Sequence, residues 1–206
     1  MSDKRGADSR SAETRTRILD ATLASLVRNG YGGTTARAIA QGGGFAPGVI
    51  YYHFADLDDL VLATLAHTCD ARAHRYRSEL TGVERGARVV ELLRELYRED
   101  TESGHIAAVQ EIYAGARPGS RAAERLMLET RRWEELAGEV LTTVLRGKPL
   151  ASLVNVPVVA SAAVAFYLGM ETLTHLDGDR SRPAQLFDQA ARLAAVLDRI
   201  PRLRRH

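Results

Sequence analysis

Cysteine occurs once in the 206 residues, as Cys69. A lone thiol excludes an internal disulfide framework and fits a reducing compartment. Lysine is almost missing: Lys4 and Lys148 are its only occurrences, so nearly all positive charge is arginine. Arginine suits two-pronged phosphate contact, but the same bias follows from genomic base composition, so by itself it decides nothing. The net charge of +2 is too small for bulk electrostatics to demand nucleic acid. A nucleic-acid surface would have to be a local patch. Alternating apolar and polar runs of strand length are absent. The N-terminal stretch MSDKRGADSRSAE has no apolar core, so no secretory leader is expected. Only Leu150–Met170 is apolar over the length of a bilayer span, and it contains Asn155, Pro157 and many small residues, with Glu171 next. Alanine contributes little to insertion into lipid, so the expectation is a buried helix in a cytoplasmic protein without a membrane partner.

What is present is helical periodicity along nearly the whole chain, and the fold expected is all-α with about nine helices. After a flexible arm over 1–13, Ile18, Leu19, Thr22 and Leu26 line one face of a first helix that stops at Asn29-Gly30. Thr34-Thr35 caps a short second helix through Ile39 and Ala40. Glycines follow, and a short third helix opens near Ala46 with Pro47 at its start. Asp56 stands as the N-cap of a fourth helix, with Asp58 and Asp59 in its first turn. Beyond Thr81-Gly82 the pattern is that of a larger helical body, broken at Ser103-Gly104, Pro118-Gly119, Gly147-Lys148-Pro149 and Asp177-Gly178-Asp179. The expected division is a small domain over 14–56 and a larger one over 57–206.

Two short helices joined by a glycine-containing turn and packed on a longer first helix make a helix-turn-helix. Gly43 and Gly44 permit positive φ and close approach. Ile50 and Phe54, four apart, point inward. Pro47, Gly48 and Val49 leave an outer face low enough to approach a groove, and Tyr51, Tyr52 and His53 offer polar tips to phosphates. Thr34, Thr35 and the start of the second helix supply hydroxyl and amide donors, and Arg15 and Arg37 supply charge. The third helix carries no strong base-reading pair, so specificity would rest on apolar contacts, water and DNA shape.

From Thr14 to about Leu65 the chain resembles the N-terminal domain of the TetR family of bacterial transcriptional regulators. The resemblance is carried by Arg17-Ile18-Leu19, Gly30-Tyr31, Thr34-Thr35, Ile39-Ala40, Gly44-Phe45, Gly48, Ile50-Tyr51-Tyr52-His53-Phe54 and Leu60. It implies a dimer whose third helices enter the major groove of a double-stranded operator, and a small-molecule effector that moves the two heads apart. Two positions depart from the family pattern. Leu57 stands where a phosphate-contacting lysine is usual, and Ala46 where a capping serine is usual. Each change weakens nonspecific DNA affinity by about 1 kcal/mol or less.

In the body, Tyr97, Gln110, Tyr113, Met127, Thr130, Trp133, Phe166 and Met170 suit a cavity for a mainly apolar ligand, which the resemblance also places there. Core packing is the alternative for each. The Ala-rich VVASAAVAFYLG segment and the last helix suit a homodimeric four-helix bundle. His67, Asp70 and His74 share a helical face, but no further ligand completes a metal site. No nucleophile elbow, phosphate loop or dinucleotide fingerprint occurs, so neither an enzyme nor a cofactor is expected. The expectation is a ligand-released repressor. An activator, a ligand-insensitive DNA-binding protein, and a helical carrier or enzyme with a relic head remain compatible.

Overall fold

The structure, a computed structural model, describes residues 2–201, with side chains from residue 9 onward. Among these residues there are nine α-helices, one 3-10 turn at Pro149–Ser152 and no strand. The helices are α1 (Ser2–Gly33), α2 (Ala36–Gly43), α3 (Gly48–His53), α4 (Leu57–Leu80), α5 (Gly86–Glu102), α6 (His105–Gly115), α7 (Arg121–Leu145), α8 (Val156–Asp177) and α9 (Ser181–Asp198). The segment expected as an arm continues α1 back to Ser2. It holds no proline and one glycine, and within it Ser9 Oγ donates to Glu13 Oε1 at 3.3 Å, one turn along. A helix polar all round needs no tertiary partner to stay solvated. The helical path ends where expected: Gly30 has φ 69° and ψ 177°, and Tyr31–Gly33 form a separate turn beyond it.

Contacts divide the chain into two units. One comprises the described residues up to Asp70 together with Ser103–Leu126; the other comprises Ala71–Glu102 and the residues from Met127 onward. The reason is that α6 carries apolar side chains that complete the first unit. Ala108, Val109 and Ile112 bury against Leu26 of α1, Val61 and Leu65 of α4, and Leu126 of α7. This junction is also keyed by a glycine. The Tyr31 ring lies against Gly115 so closely that a Cβ there would fall 2.4 Å from it. The Tyr31 amide donates to Glu111 Oε2 at 2.9 Å.

The second unit has its own core of Tyr76, Leu80, Val89, Leu92, Leu96, Leu136 and Val144, with Leu93, Trp133, Val140 and Leu197 at its margin. Its most apolar helix is not its most buried one. Asn155 caps α8, and Gly178 closes it with φ 72°, yet only 17% of the apolar stretch of α8 is buried. The buried helix expected from Leu150–Met170 is therefore corrected: within that segment Leu153, Val158, Val159 and Phe166 are exposed in the single chain, and Leu173 and Leu176 continue the exposed face. The same holds for Leu193 and Val196 of α9. The apolar residues wind fully around α8, and the rest of the unit covers only one side. By length and apolarity α8 is the one described helix able to cross a bilayer.

The end of α9 is clasped to the start of α5. Asp198 accepts the amides of Gly86 at 2.9 Å and Ala87 at 3.0 Å, satisfying donors that a helix start leaves open. Buried Lys148 donates to the Leu197 carbonyl at 2.7 Å and lies 3.5 Å from Asp198. Burial alone would raise the Asp198 carboxyl, but the Ala87 and Gly86 amides and Lys148 outweigh it and hold it below its ordinary value. A lowered native value means that this stabilisation is full above the unfolded aspartate value, about 3.9, and is lost as pH falls through the native value. Asp198→Asn should therefore lower stability at pH 7 by about 2 kcal/mol, and by progressively less as pH falls below the unfolded aspartate value, as measured by denaturation across that range.

Candidate nucleic-acid interface

Three helices at the start of the first unit enclose a small core of Ile18, Leu19, Ala21, Ile39, Ala40, Ile50, Phe54 and Leu60. The Thr35 hydroxyl accepts the Ala38 amide at 3.2 Å and so starts α2. The Gly44 backbone, at φ 68°, closes α2, its amide bonding to the Ala40 carbonyl. Gly43 is needed for a different reason. A Cβ at that position would meet the Phe45 ring at 2.2 Å and Ala21 Cβ at 2.9 Å, so the turn is tight because the chain packs there without a side chain.

Helix α3 follows with Pro47 as its N-cap, in helical conformation. Ile50 is fully buried and Phe54 nearly so, whereas Tyr51 is 58% and Tyr52 83% exposed. Large aromatic side chains this uncovered and adjacent on one face are informative, because an exposed large apolar patch is the unusual feature of a protein surface. The Tyr52 and His53 rings meet edge to face at 5.1 Å, and Pro47 and Gly48 are exposed beside them. Val49 is only half-exposed and packs partly on the core. Arg15 lies over the Phe54 ring at 4.9 Å, and Arg17 over Phe45 at 5.8 Å while bonding to the Gly43 carbonyl at 3.2 Å. Both arginines keep exposed positions, as does Arg37, and ring contacts of this kind hold a guanidinium by about 0.5–1 kcal/mol. The outer face therefore combines phenol and imidazole tips, cationic groups and a low Pro-Gly edge.

Thr34 requires a correction. It is buried, its Oγ1 donates to the Gly30 carbonyl at 2.7 Å and accepts from Ser25 Oγ. Of the two adjacent threonines, one starts α2 and the other holds the end of α1, so Thr34 presents no side chain outward. Leu57, which replaces the usual lysine, packs on the small core instead. Asp56 accepts the Asp59 amide at 2.6 Å and Asp59 the Ala55 amide at 3.2 Å, which fixes the start of α4 as expected.

The residues expected to line a ligand cavity fall in both units. Gln110 and Tyr113 belong to the first unit, the other six to the second. Met127 and Phe166 are more than half exposed, because they lie on the outward sides of α7 and α8. Trp133 meets Tyr76 edge-on at 5.0 Å as part of the core, Thr130 is half-buried, and Met170 is buried. Tyr97 meets Tyr167 at 6.4 Å and Phe187 at 5.3 Å. A cavity of about 310 Å³ in the first unit, bounded by Tyr31, Asp58 and Arg121 among others, is lined by none of the eight. The same is true of one of about 760 Å³ in the second, beside Arg85, Lys148 and Asp198. Among the described residues no three His, Cys, Asp or Glu side chains are placed to hold a metal ion.

A buried polar centre in the second unit was not anticipated. Asp100, fully buried, accepts from Arg72 Nε at 2.7 Å, from the Tyr76 hydroxyl at 2.9 Å and from Arg75. The Arg72 guanidinium also lies 5.1 Å from the Trp133 ring. Burial opposes the Arg72 charge, and its neighbours Tyr167, Asp100 and Tyr76 more than restore it.

Residues 18–64 match the family described as bacterial regulatory proteins, tetR family. The chain is 31% identical to the HTH-type transcriptional regulator UidR of Escherichia coli K12 over 101 residues, 49% of this chain and 50% of that protein. It is 36% identical to the HTH-type transcriptional regulator BetI of Paraburkholderia phymatum over 53 residues, 26% of this chain and 27% of that one. The chain thus spans half or less of the length of these curated relatives. A TetR family member from Streptomyces coelicolor is 25% identical and superposes with a TM-score of 0.62 over 92% of this chain and 99% of that one. The transcriptional regulator FadR from Bacillus subtilis, solved with stearoyl-CoA, shares the fold at 14% identity, with a TM-score of 0.70 over 87% of this chain and 96% of that one. Gly43→Ala should destabilise the first unit by about 1–3 kcal/mol through the Phe45 and Ala21 collisions; thermal denaturation of the full chain measures this.

Proposed function

We propose that this chain, whose residues 18–64 match the tetR family of bacterial regulatory proteins, is a DNA-binding transcriptional regulator of that family. In this reading it is a cytoplasmic repressor, released from a double-stranded operator by a small, mainly apolar effector. The observation that carries the proposal is the exposure of Tyr51 and Tyr52 on a helix whose Ile50 and Phe54 are locked inside. In a major groove, Gly48 and Val49 would face the bases, while the aromatic tips, Thr35, Arg15 and Arg37 would reach phosphates.

A homodimer supplies the second reading head that paired half-sites need. The exposed apolar faces of α8 and α9 support this assembly, since Phe166, Leu173, Leu176 and Leu193 are more than half uncovered in the single chain. A twofold pairing would cover the same patch on both subunits. Effector binding in the second unit would favour a conformation with the two α3 helices at a spacing that misses successive grooves. An affinity difference of about 100-fold between the conformations, about 2.7 kcal/mol, is enough for a switch.

Tyr52→Ala should weaken binding to a selected operator duplex several-fold and leave the melting temperature nearly unchanged, because the side chain packs on little; electrophoretic mobility shift with paired calorimetry reads both. Unaltered affinity would remove the assigned role. Phe166→Glu should convert dimers to monomers in sedimentation equilibrium and abolish high-affinity operator binding with them.

A further inference from the structure

The inner side of the second unit contains polar groups that the fold itself leaves unused. On α5, the Tyr97 and Thr101 hydroxyls are four residues apart; on α8, Tyr167, Glu171 and Thr174 lie at intervals of four and three. The hydroxyl oxygens of Tyr97, Thr101, Tyr167 and Thr174 and Oε1 of Glu171 are all buried and make no hydrogen bond of ordinary geometry within the chain, although the Tyr97 hydroxyl is near enough to Glu171 and Thr101 to act on both. Glu171 is 2% exposed and Thr174 4%. These groups form one cluster: the Tyr97 and Tyr167 rings meet edge-on at 6.4 Å, and Glu171 lies within electrostatic reach of both tyrosines. Buried polar atoms in folded proteins almost always have partners, so five in one place call for one.

Resting on the regulator reading above, we propose that this cluster is the effector's polar anchor, and that the effector is an organic cation: a protonated amine on an apolar body, with Glu171 as its counter-ion. The charges of the neighbourhood point to that sign. Arg72 is already matched by Asp100, which also takes Arg75 and Tyr76. Glu171 forms no ion pair among the described residues, and burial pushes its carboxyl up from the ordinary value against the pull of the Tyr97 hydroxyl, Arg180 and Arg72. A buried carboxylate without a cation in contact is costly, and an adjacent cation removes that cost. A neutral donor removes only part, and an anion adds repulsion. An ammonium has three donors and no acceptor, which suits one carboxylate and several hydroxyl oxygens. The rings of Tyr97, Tyr167 and Phe187 offer it aromatic surface, and Met170, one residue before Glu171 and buried, adds apolar lining.

The test uses the full chain and three probes of one length: n-hexylamine, protonated at pH 7, neutral n-hexanol and anionic hexanoate, each titrated calorimetrically. The amine should bind saturably and at least tenfold more tightly than either other probe. Glu171→Gln, which keeps the volume and removes the charge, should bring the amine down to the level of the alcohol while the melting temperature stays level or rises. A merely structural glutamate would instead lose stability. Tyr97→Phe should weaken the amine several-fold and stands in if the glutamine variant fails to fold. Equal affinity for the three probes, no saturable heat with the amine, or an unchanged amine affinity in both variants overturns the proposal. Selective duplex binding is measured on the same preparations. Its absence would remove the regulator reading and leave an amine result standing, and loss of the amine preference would leave duplex binding untouched.

Discussion

Helix α3 has six residues, and a helix this short does not hold its shape in water by itself. Its conformation and direction depend on two side chains, Ile50 and Phe54, entering the core of Ile18, Leu19, Ile39 and Leu60. Full burial of each contributes about 1.5–3 kcal/mol, far more than the intrinsic preference of so short a segment. Everything on the outer face follows from that insertion. With Ile50 inside, the intervening Tyr51 and Tyr52 have to be outside, and Arg15 gains the Phe54 ring to lie on. The presentation of the aromatic tips is thus a consequence of core packing, and the Gly43-Gly44 turn is what allows the packing to close.

The second unit follows a different logic. Its interior is not uniformly apolar: Asp100 gathers two arginines and a tyrosine, while neighbouring hydroxyls and a carboxylate oxygen make no hydrogen bond of ordinary geometry in the fold. A fully satisfied buried network tends to make a structure rigid and unique, and a partly satisfied one costs stability. The two lie in one unit, so the cost of the second is carried by the cohesion of the first and of the Leu92 and Leu136 core. The apolar residues that might have covered the polar groups are directed outward along α8 instead.

How much of this could be seen in the sequence depends on the range of the interaction responsible. The stop at Gly30, the Thr35 cap, the Gly44 closure and the Asp56-Asp59 start of α4 are set within four residues, and local spacing predicts them. Thr34 was misassigned because adjacent threonines look alike until one is turned toward Gly30. The Arg72–Asp100 pair spans 28 positions, and no periodicity links them. Helix α8 is apolar on nearly every side, so its pattern does not say that Glu171 lies on the side that meets the core. The same uniformity made the helix look buried. Residues expected to share a cavity were selected for their chemical type, and type does not reveal which unit a residue joins.

The fit of Tyr31 against Gly115 has a mechanical consequence. Gly115 is flanked by Ala114 and Ala116, so sliding or turning α6 by one residue puts a methyl group where the ring now lies. A close-packed junction of this kind does not yield by degrees. It behaves as a detent: α6 stays seated until the ring swings clear, then moves in a single click to whatever position next accepts it.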